Sequence, residues 1–169
     1  MHEPPSDGRQ RVIIARVSPE IDCGRFATKR VVGETVIVEA VVFCDGHDQV
    51  GCQILYCQEG HELQTSPMRP LGNDRWRGEF PLTDLGRYCF TVEGWIDRFE
   101  TWRRDLEKRI SAGQDISVDL LMGADLIERA AKRATVEDAK SLQSWAQSLR
   151  EGSQDGSGAA IALDPSPSS

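Results

Sequence analysis

Short stretches in which apolar and polar residues alternate cover the first part of the chain. Within residues 34–43, apolar side chains recur at every second position, and Glu39 falls on the opposite face. The apolar positions are Val36, Val38, Ala40 and Val42. Alternation with a period of two predicts a β-strand with one buried face. We predict strands at residues 11–17, 34–43, 52–57, 75–80 and 87–95.

Turn-forming residues separate the predicted strands, as at Asp45-Gly46 and Gly72-Asn73-Asp74. Short alternating strands with turns at this spacing are typical of antiparallel sandwiches. We therefore predict a mainly β fold, an immunoglobulin-like antiparallel β-sandwich, over residues 11–113. Residues 101–110 fit either a last strand or a helix, because their composition suits both.

The period changes to that of a helix after residue 113. Apolar residues then recur three and four positions apart in two runs. These are Ile116, Leu120, Ala124, Ile127 and Ala131, then Ala139, Leu142, Ala146 and Leu149. Asp115 and Thr135 each precede a run and can cap a helix N-terminus. We predict a helical hairpin over residues 114–151 that ends at Gly152.

The two ends of the chain have little to bury. Residues 1–10 and 152–169 are rich in Gly, Ser, Pro and polar residues, which favours a disordered start and a flexible tail. The chain is 39% hydrophobic, which is enough for one ordinary core. Its 169 residues are too few for a (β/α)8 barrel, which needs about 250 residues.

Charge and apolar content exclude several classes of protein. The net charge of −7, without a basic cluster, argues against binding to nucleic acid or an anionic membrane. No apolar run approaches the roughly 20 residues of a membrane-spanning helix. The start lacks the layout of a signal peptide, and the five cysteines include no C-x-x-C pair. We therefore expect a reducing cytoplasm and free thiols, with Cys52 and Cys57 as small buried residues on opposite faces of a strand.

One turn raises the question of a metal site. Cys44, His47 and Asp48 carry atoms that zinc accepts, but a fourth ligand is undefined. The Asp45-Gly46 step between two strands favours an ordinary hairpin turn instead. We expect no metal ion, no cofactor and no catalytic residue in this sequence.

The tryptophans raise the question of a carbohydrate site. Trp76 and Trp95 are candidates for stacking on sugar rings, while the alternative is that the aromatic residues fill the core. On the second predicted helix, Leu142, Trp145 and Leu149 are candidates for a contact between subunits.

A series of ordered segments carries a resemblance to a known family. They are Ser18 to Arg25, Lys29 to Glu34, Asp45 to Asp48, Leu71 to Trp76, Thr91 to Asp97, Thr101 to Arg103 and Ala112 to Asp115. In this order and spacing, the chain from Val12 to Glu151 resembles the N-terminal region of bacterial α-1,4-glucan:maltose-1-phosphate maltosyltransferases.

The resemblance implies a fold and a role. It implies a cytoplasmic enzyme that moves maltosyl units from α-maltose 1-phosphate to an α-1,4-glucan, with catalysis on a downstream barrel. The matched region would be a non-catalytic β-sandwich with helices that contributes to a homodimer. None of the family's catalytic or substrate-binding motifs is found here. The open alternative is a glucan-binding module.

Overall fold

The structure is a computed structural model that describes residues 11–155 and 157–163. The chain forms two compact units, which divide between Ile96 and Asp97. The first unit is built from strands and the second from helices. The predicted order, an antiparallel β-sandwich followed by helices, is confirmed. The predicted disordered start at residues 1–10 lies outside the described residues.

The described residues of the first unit form seven strands. They are β1 (Val12–Ser18), β2 (Thr35–Cys44), β3 (Gln49–Gln58), β4 (Gln64–Pro67), β5 (Arg69–Gly72), β6 (Arg75–Pro81) and β7 (Tyr88–Asp97). One sheet has the order β1-β2-β6-β5 and the other the order β4-β3-β7. The described pairings of β2 with β1 and β6 are antiparallel, as is that of β3 with β4.

The core of the sandwich lies between the two sheets. The inward face of β2 is buried as its alternation predicts, at Val36, Val38, Ala40 and Val42. Ile54 of β3 lies opposite on the facing sheet, whereas Phe80 of β6 is the register partner of Val36 in the same sheet, and both side chains are fully buried in the shared core. Phe80 stacks on Tyr56 with ring centroids 4.5 Å apart.

In the second unit, the described part of the chain forms four helices. They are α1 (Arg98–Ser111), α2 (Ser117–Ala131), α3 (Val136–Asp155) and α4 (Gly158–Leu163). The two predicted apolar runs lie on α2 and α3, which pack against each other. Both predicted capping side chains bind a backbone N–H at the start of a helix, but the N-cap residue of α2 is Ile116 and not Asp115 as predicted. Ser117 N donates to the Asp115 carboxylate at 2.9 Å, and Asp138 N donates to Thr135 Oγ1 at 3.3 Å.

Residues 101–110 are helical, and the sandwich ends before them. The Asp97 carboxylate accepts a hydrogen bond from Glu100 N at 2.9 Å, and this cap starts α1. Trp102 and Leu106 then bury one helix face. The predicted domain boundary at residue 113 is therefore too late.

The segment predicted as a flexible tail is largely helical where it is described. α3 continues through Gly152 to Asp155, and α4 packs on it. The contact is close because both helices carry glycine. A Cβ at Gly152 would lie 2.5 Å from Gly158 Cα. Residues 164–169 lie outside the described residues. Within the described ranges, no helix has the length and apolarity needed to cross a membrane.

Candidate functional site

A groove of about 570 Å³ opens on the surface of the sandwich unit. The segment between β1 and β2 forms one wall, and residues 82–90 form the other. Val36 and Phe80 of the sandwich core contribute to its floor. Its volume falls in the range of small-molecule sites, about 300–1,000 Å³.

The first wall is a tight reversal of the chain. Asp22, Cys23 and Gly24 have positive φ angles of 49°, 54° and 80°. Arg25 N donates to the Asp22 carbonyl at 3.1 Å and so closes the turn. The reversal presents Phe26 to the groove with 60% of its surface exposed. An exposed phenylalanine on a concave surface is available to a ligand.

Tyr88 gives the second wall a fixed aromatic ring. Its hydroxyl accepts a hydrogen bond from Asp84 N at 3.2 Å and lies 3.4 Å from Thr83 Oγ1. Phe90 stands two residues further along β7 and packs on Phe80, with ring centroids 5.7 Å apart. The aromatic part of the groove is therefore held by the sandwich itself.

Four charged side chains line the same groove. They are Glu20, Arg30, Asp84 and Arg87. None of them forms an ion pair with another described residue. Two positive and two negative groups balance, so the groove favours a neutral ligand. Aromatic rings beside planar polar groups can bind a polyhydroxylated ligand, through its C–H faces and its hydroxyls respectively.

The two tryptophans that were candidates for stacking on sugar rings lie elsewhere. Trp76 is half-buried against the sandwich core, and its Nε1 donates to the Val42 carbonyl at 3.1 Å. Trp95 is 41% exposed, and its ring covers Gly51 so closely that a Cβ there would lie 2.4 Å away. Neither residue lines the groove.

The predicted subunit-contact residues pack within their own unit. Leu149 is fully buried and presents no surface to a partner. Trp145 lies 5.5 Å from Phe99 between ring centroids, and its Nε1 donates to the Ile161 carbonyl at 3.3 Å. Leu142 is partly buried against the same core. The helical unit therefore uses all three residues for its own packing.

The Asp45–Asp48 segment is an ion-paired hairpin turn. Gly46 has a φ of +94°, which suits glycine. The Arg11 guanidinium lies 3.1 Å from the Asp45 carboxylate and 2.7 Å from that of Asp48. The hydrogen bond from Arg11 to Asp48, and to a smaller extent that to Asp45, raises the pKa of the guanidinium. Both carboxylates thus stabilise the turn through their ion pairs with Arg11.

An exposed apolar row on α2 was not predicted from the sequence. Val118, Leu121 and Met122 are 67%, 45% and 56% exposed. Their spacing of three and four residues places them on one face of the helix. The opposite face carries Leu120 and Ala124, which are buried. Only the stripe facing the core was predicted, although the spacing of the second row is visible in the sequence.

The fold defines a class, that of antiparallel two-sheet β-sandwiches that continue into helices. Within this class, the chain belongs to the family described as alpha-1,4-glucan:maltose-1-phosphate maltosyltransferase, domain N/S. The family model matches residues 10–167.

Complete relatives of the chain are much longer than it is. It is 47% identical over 152 residues to the alpha-1,4-glucan:maltose-1-phosphate maltosyltransferase of Chlorobaculum tepidum, covering 89% of this chain and 23% of that protein. It is 47% identical over 149 residues to the enzyme of the same name from Myxococcus xanthus, covering 83% of this chain and 22% of that protein. It thus spans less than a quarter of their length.

Proposed function

We propose that this chain is the N-terminal accessory and assembly region of a maltosyltransferase. That enzyme would transfer maltosyl units from α-maltose 1-phosphate to an α-1,4-glucan in the cytoplasm. The family match and the identity to maltosyltransferases support the reaction. In this proposal the chain braces a catalytic barrel and joins two subunits, and it takes no part in the chemistry.

Two carboxyl groups, those of Asp105 and Asp115, are poor candidates for the general acid of glycosyl transfer. Retaining glycosyl transfer needs a carboxylic acid of raised pKa beside a second carboxylate. A hydrogen bond from Lys108 lowers the pKa of Asp105, and a backbone hydrogen bond from Ser117 lowers that of Asp115. These shifts favour the ionised form, which cannot donate a proton to a leaving group.

The exposed row on α2, formed by Val118, Leu121 and Met122, is the observation that carries the assembly role. A helix that is apolar on two faces is normally covered on both. One face of α2 is covered by its own unit, and the other is open. We propose that a second copy of the chain covers the open face. This row takes the place of Leu142, Trp145 and Leu149 as the proposed subunit contact.

We expect the chain to form dimers that charged residues in this row abolish. Leu121→Asp with Met122→Asp places two carboxylates at the contact, where their desolvation opposes association. Sedimentation velocity over a concentration series should show dimers for the wild type and monomers for this variant.

Gln143→Asp is the matched control, because Gln143 is exposed on α3 and outside the row. This control should dimerise like the wild type. A wild-type chain that stays monomeric at the highest concentration would contradict the assembly role.

The groove on the sandwich supports a second candidate function, glucan binding. Its aromatic rings and unpaired charged groups suit an oligosaccharide better than the sites of Trp76 and Trp95 do. We expect electrophoresis through gels containing soluble starch to retard the chain. Phe26→Ala should reduce the retardation, because it removes an exposed ring from the groove.

Trp95→Ala separates the two sugar sites. Retardation should persist in this variant if the groove binds the glucan. Equal mobility of the wild type with and without starch would rule out glucan binding, and loss of retardation in Trp95→Ala would move the site to Trp95.

A further inference from the structure

Three contacts fix the alignment of β7 beside β3. Glu59 N donates to the Arg87 carbonyl at 2.8 Å, just beyond the strand ends. Gln53 Nε2 donates to the Glu93 carboxylate at 2.7 Å, and the Trp95 ring covers Gly51. From the first contact to the last, the contacting residue on β7 moves forward along the chain by the same number of positions as the contacting residue on β3 moves back. This is an antiparallel pairing without a bulge.

The same register places Cys57 of β3 directly opposite Cys89 of β7. Both lie on the outer face of the sheet, because Cys57 is two whole alternations from Gln53 and Cys89 is two from Glu93. Residues at the alternate positions of the two strands, such as Ile54 and Val92, point into the core. Cys57 is partly exposed, Cys89 is exposed, and both thiols are free. Cys57 is thus not the buried residue that was predicted.

The spacing of such a pair is close to that of a disulfide. The Glu59–Arg87 contact is a hydrogen-bonded pair, and these recur every two residues, so Cys57 and Cys89 form another. Cα atoms in such pairs are about 5.5 Å apart, inside the disulfide range of about 4.4–6.8 Å. Opposed Cβ atoms in a hydrogen-bonded pair lie toward the wider end of about 4.5–5.5 Å, whereas a disulfide holds them at about 3.5–4.5 Å. Closing the bond therefore strains the strands, and strained disulfides are readily reduced.

The other cysteines lack this arrangement. Cys52 is buried with its Sγ 3.3 Å from Met68 Sδ, and burial raises the pKa of its thiol to about 11. Such a thiol forms little thiolate near neutral pH and reacts slowly. Cys44 Sγ donates to the Asp48 carbonyl at 3.4 Å. Cys23 is exposed in the turn that follows β1.

We propose that Cys57 and Cys89 form a reversible redox-active dithiol on the outer face of the sandwich. Glutathione disulfide is the oxidant. The Cys89 thiolate, being more exposed, attacks it and forms a mixed disulfide with release of one glutathione thiolate. The Cys57 thiolate then attacks the Cys89 sulfur and releases the second glutathione. Two protein thiols are oxidised, one disulfide is reduced, and the two glutathione thiolates take up the protons that the cysteines lost.

Mass spectrometry of the folded wild-type chain tests the pair directly. The chain is incubated at low concentration with glutathione disulfide, its remaining thiols are alkylated, and it is digested without reduction. We expect the oxidised chain to lose two hydrogen atoms and two alkylation sites, with the Cys57 and Cys89 peptides joined. Excess reduced glutathione should restore both sites.

Single serine variants provide the second measurement. Cys57→Ser and Cys89→Ser should each abolish the internal bond, and the matched control Cys23→Ser should retain it. A wild-type chain that keeps all five thiols, bonds other cysteines or forms only intermolecular disulfides would overturn the proposal. These outcomes do not depend on glucan binding or maltosyl transfer.

Discussion

Replacing Gly123 with leucine is expected to destabilise the helical unit by about 3 kcal/mol. A Cβ at this position would lie 2.1 Å from Cζ2 of Trp102. The indole cannot move aside easily, because it is buried and its Nε1 donates to the Asp119 carbonyl at 2.7 Å. Overpacking a core typically costs about 1–3 kcal/mol, and a whole leucine side chain belongs at or above the upper end.

Helix propensity works in the opposite direction and makes the prediction sharper. Glycine in a helix interior is about 1 kcal/mol less favourable than alanine or leucine. If Gly123 did not lie under the Trp102 ring, Gly123→Leu would stabilise α2. Urea denaturation followed by the helical circular-dichroism signal shows whether Gly123→Leu lowers or raises the free energy of unfolding. Gln143→Leu, at an exposed position of α3 outside the proposed dimer contact, is the control and should change the free energy of unfolding by less than about 0.5 kcal/mol. A stabilised Gly123→Leu variant would contradict the packing.

The periodic parts of the fold could be predicted because their signal is local. The alternation in β2 and the helical spacing on α2 each place apolar residues on one face, whatever they pack against. The start of α1 was not predicted, although Asp97 stands three residues before Glu100 in a capping pattern. The apolar positions within residues 101–110 suited a strand as well as a helix, and the cap at Asp97 favours the helix.

Features made by distant segments could not be predicted in the same way. The helix α4 looks like a linker in sequence, because the glycines that allow its close contact with α3 are also typical of flexible chains. The groove needs Phe26 and Tyr88 to meet, and only the folded sandwich brings them together. The Cys57–Cys89 pair likewise depends on the register of two strands that are far apart in the chain.

Phe80→Ala is expected to cost the sandwich about 3–5 kcal/mol, the usual loss for a buried phenylalanine. Phe80 is 2% exposed and lies between Tyr56 and Phe90, at centroid distances of 4.5 and 5.7 Å. Its removal leaves a cavity that these rings cannot fill without leaving their own positions. The loss is a large share of the about 5–15 kcal/mol that stabilises a domain.

Phe80 belongs both to the core of the sandwich and to the floor of the groove. Phe26→Ala makes the identical chemical change on the same groove, at a ring that is 60% exposed. We therefore expect Phe26→Ala to leave the free energy of unfolding within about 0.5 kcal/mol of the wild type. Urea denaturation followed by tyrosine and tryptophan fluorescence compares the two variants. Similar losses in both would show that the segment carrying Phe26 is part of the core, and a loss below about 1 kcal/mol for Phe80→Ala would contradict the packing of the floor.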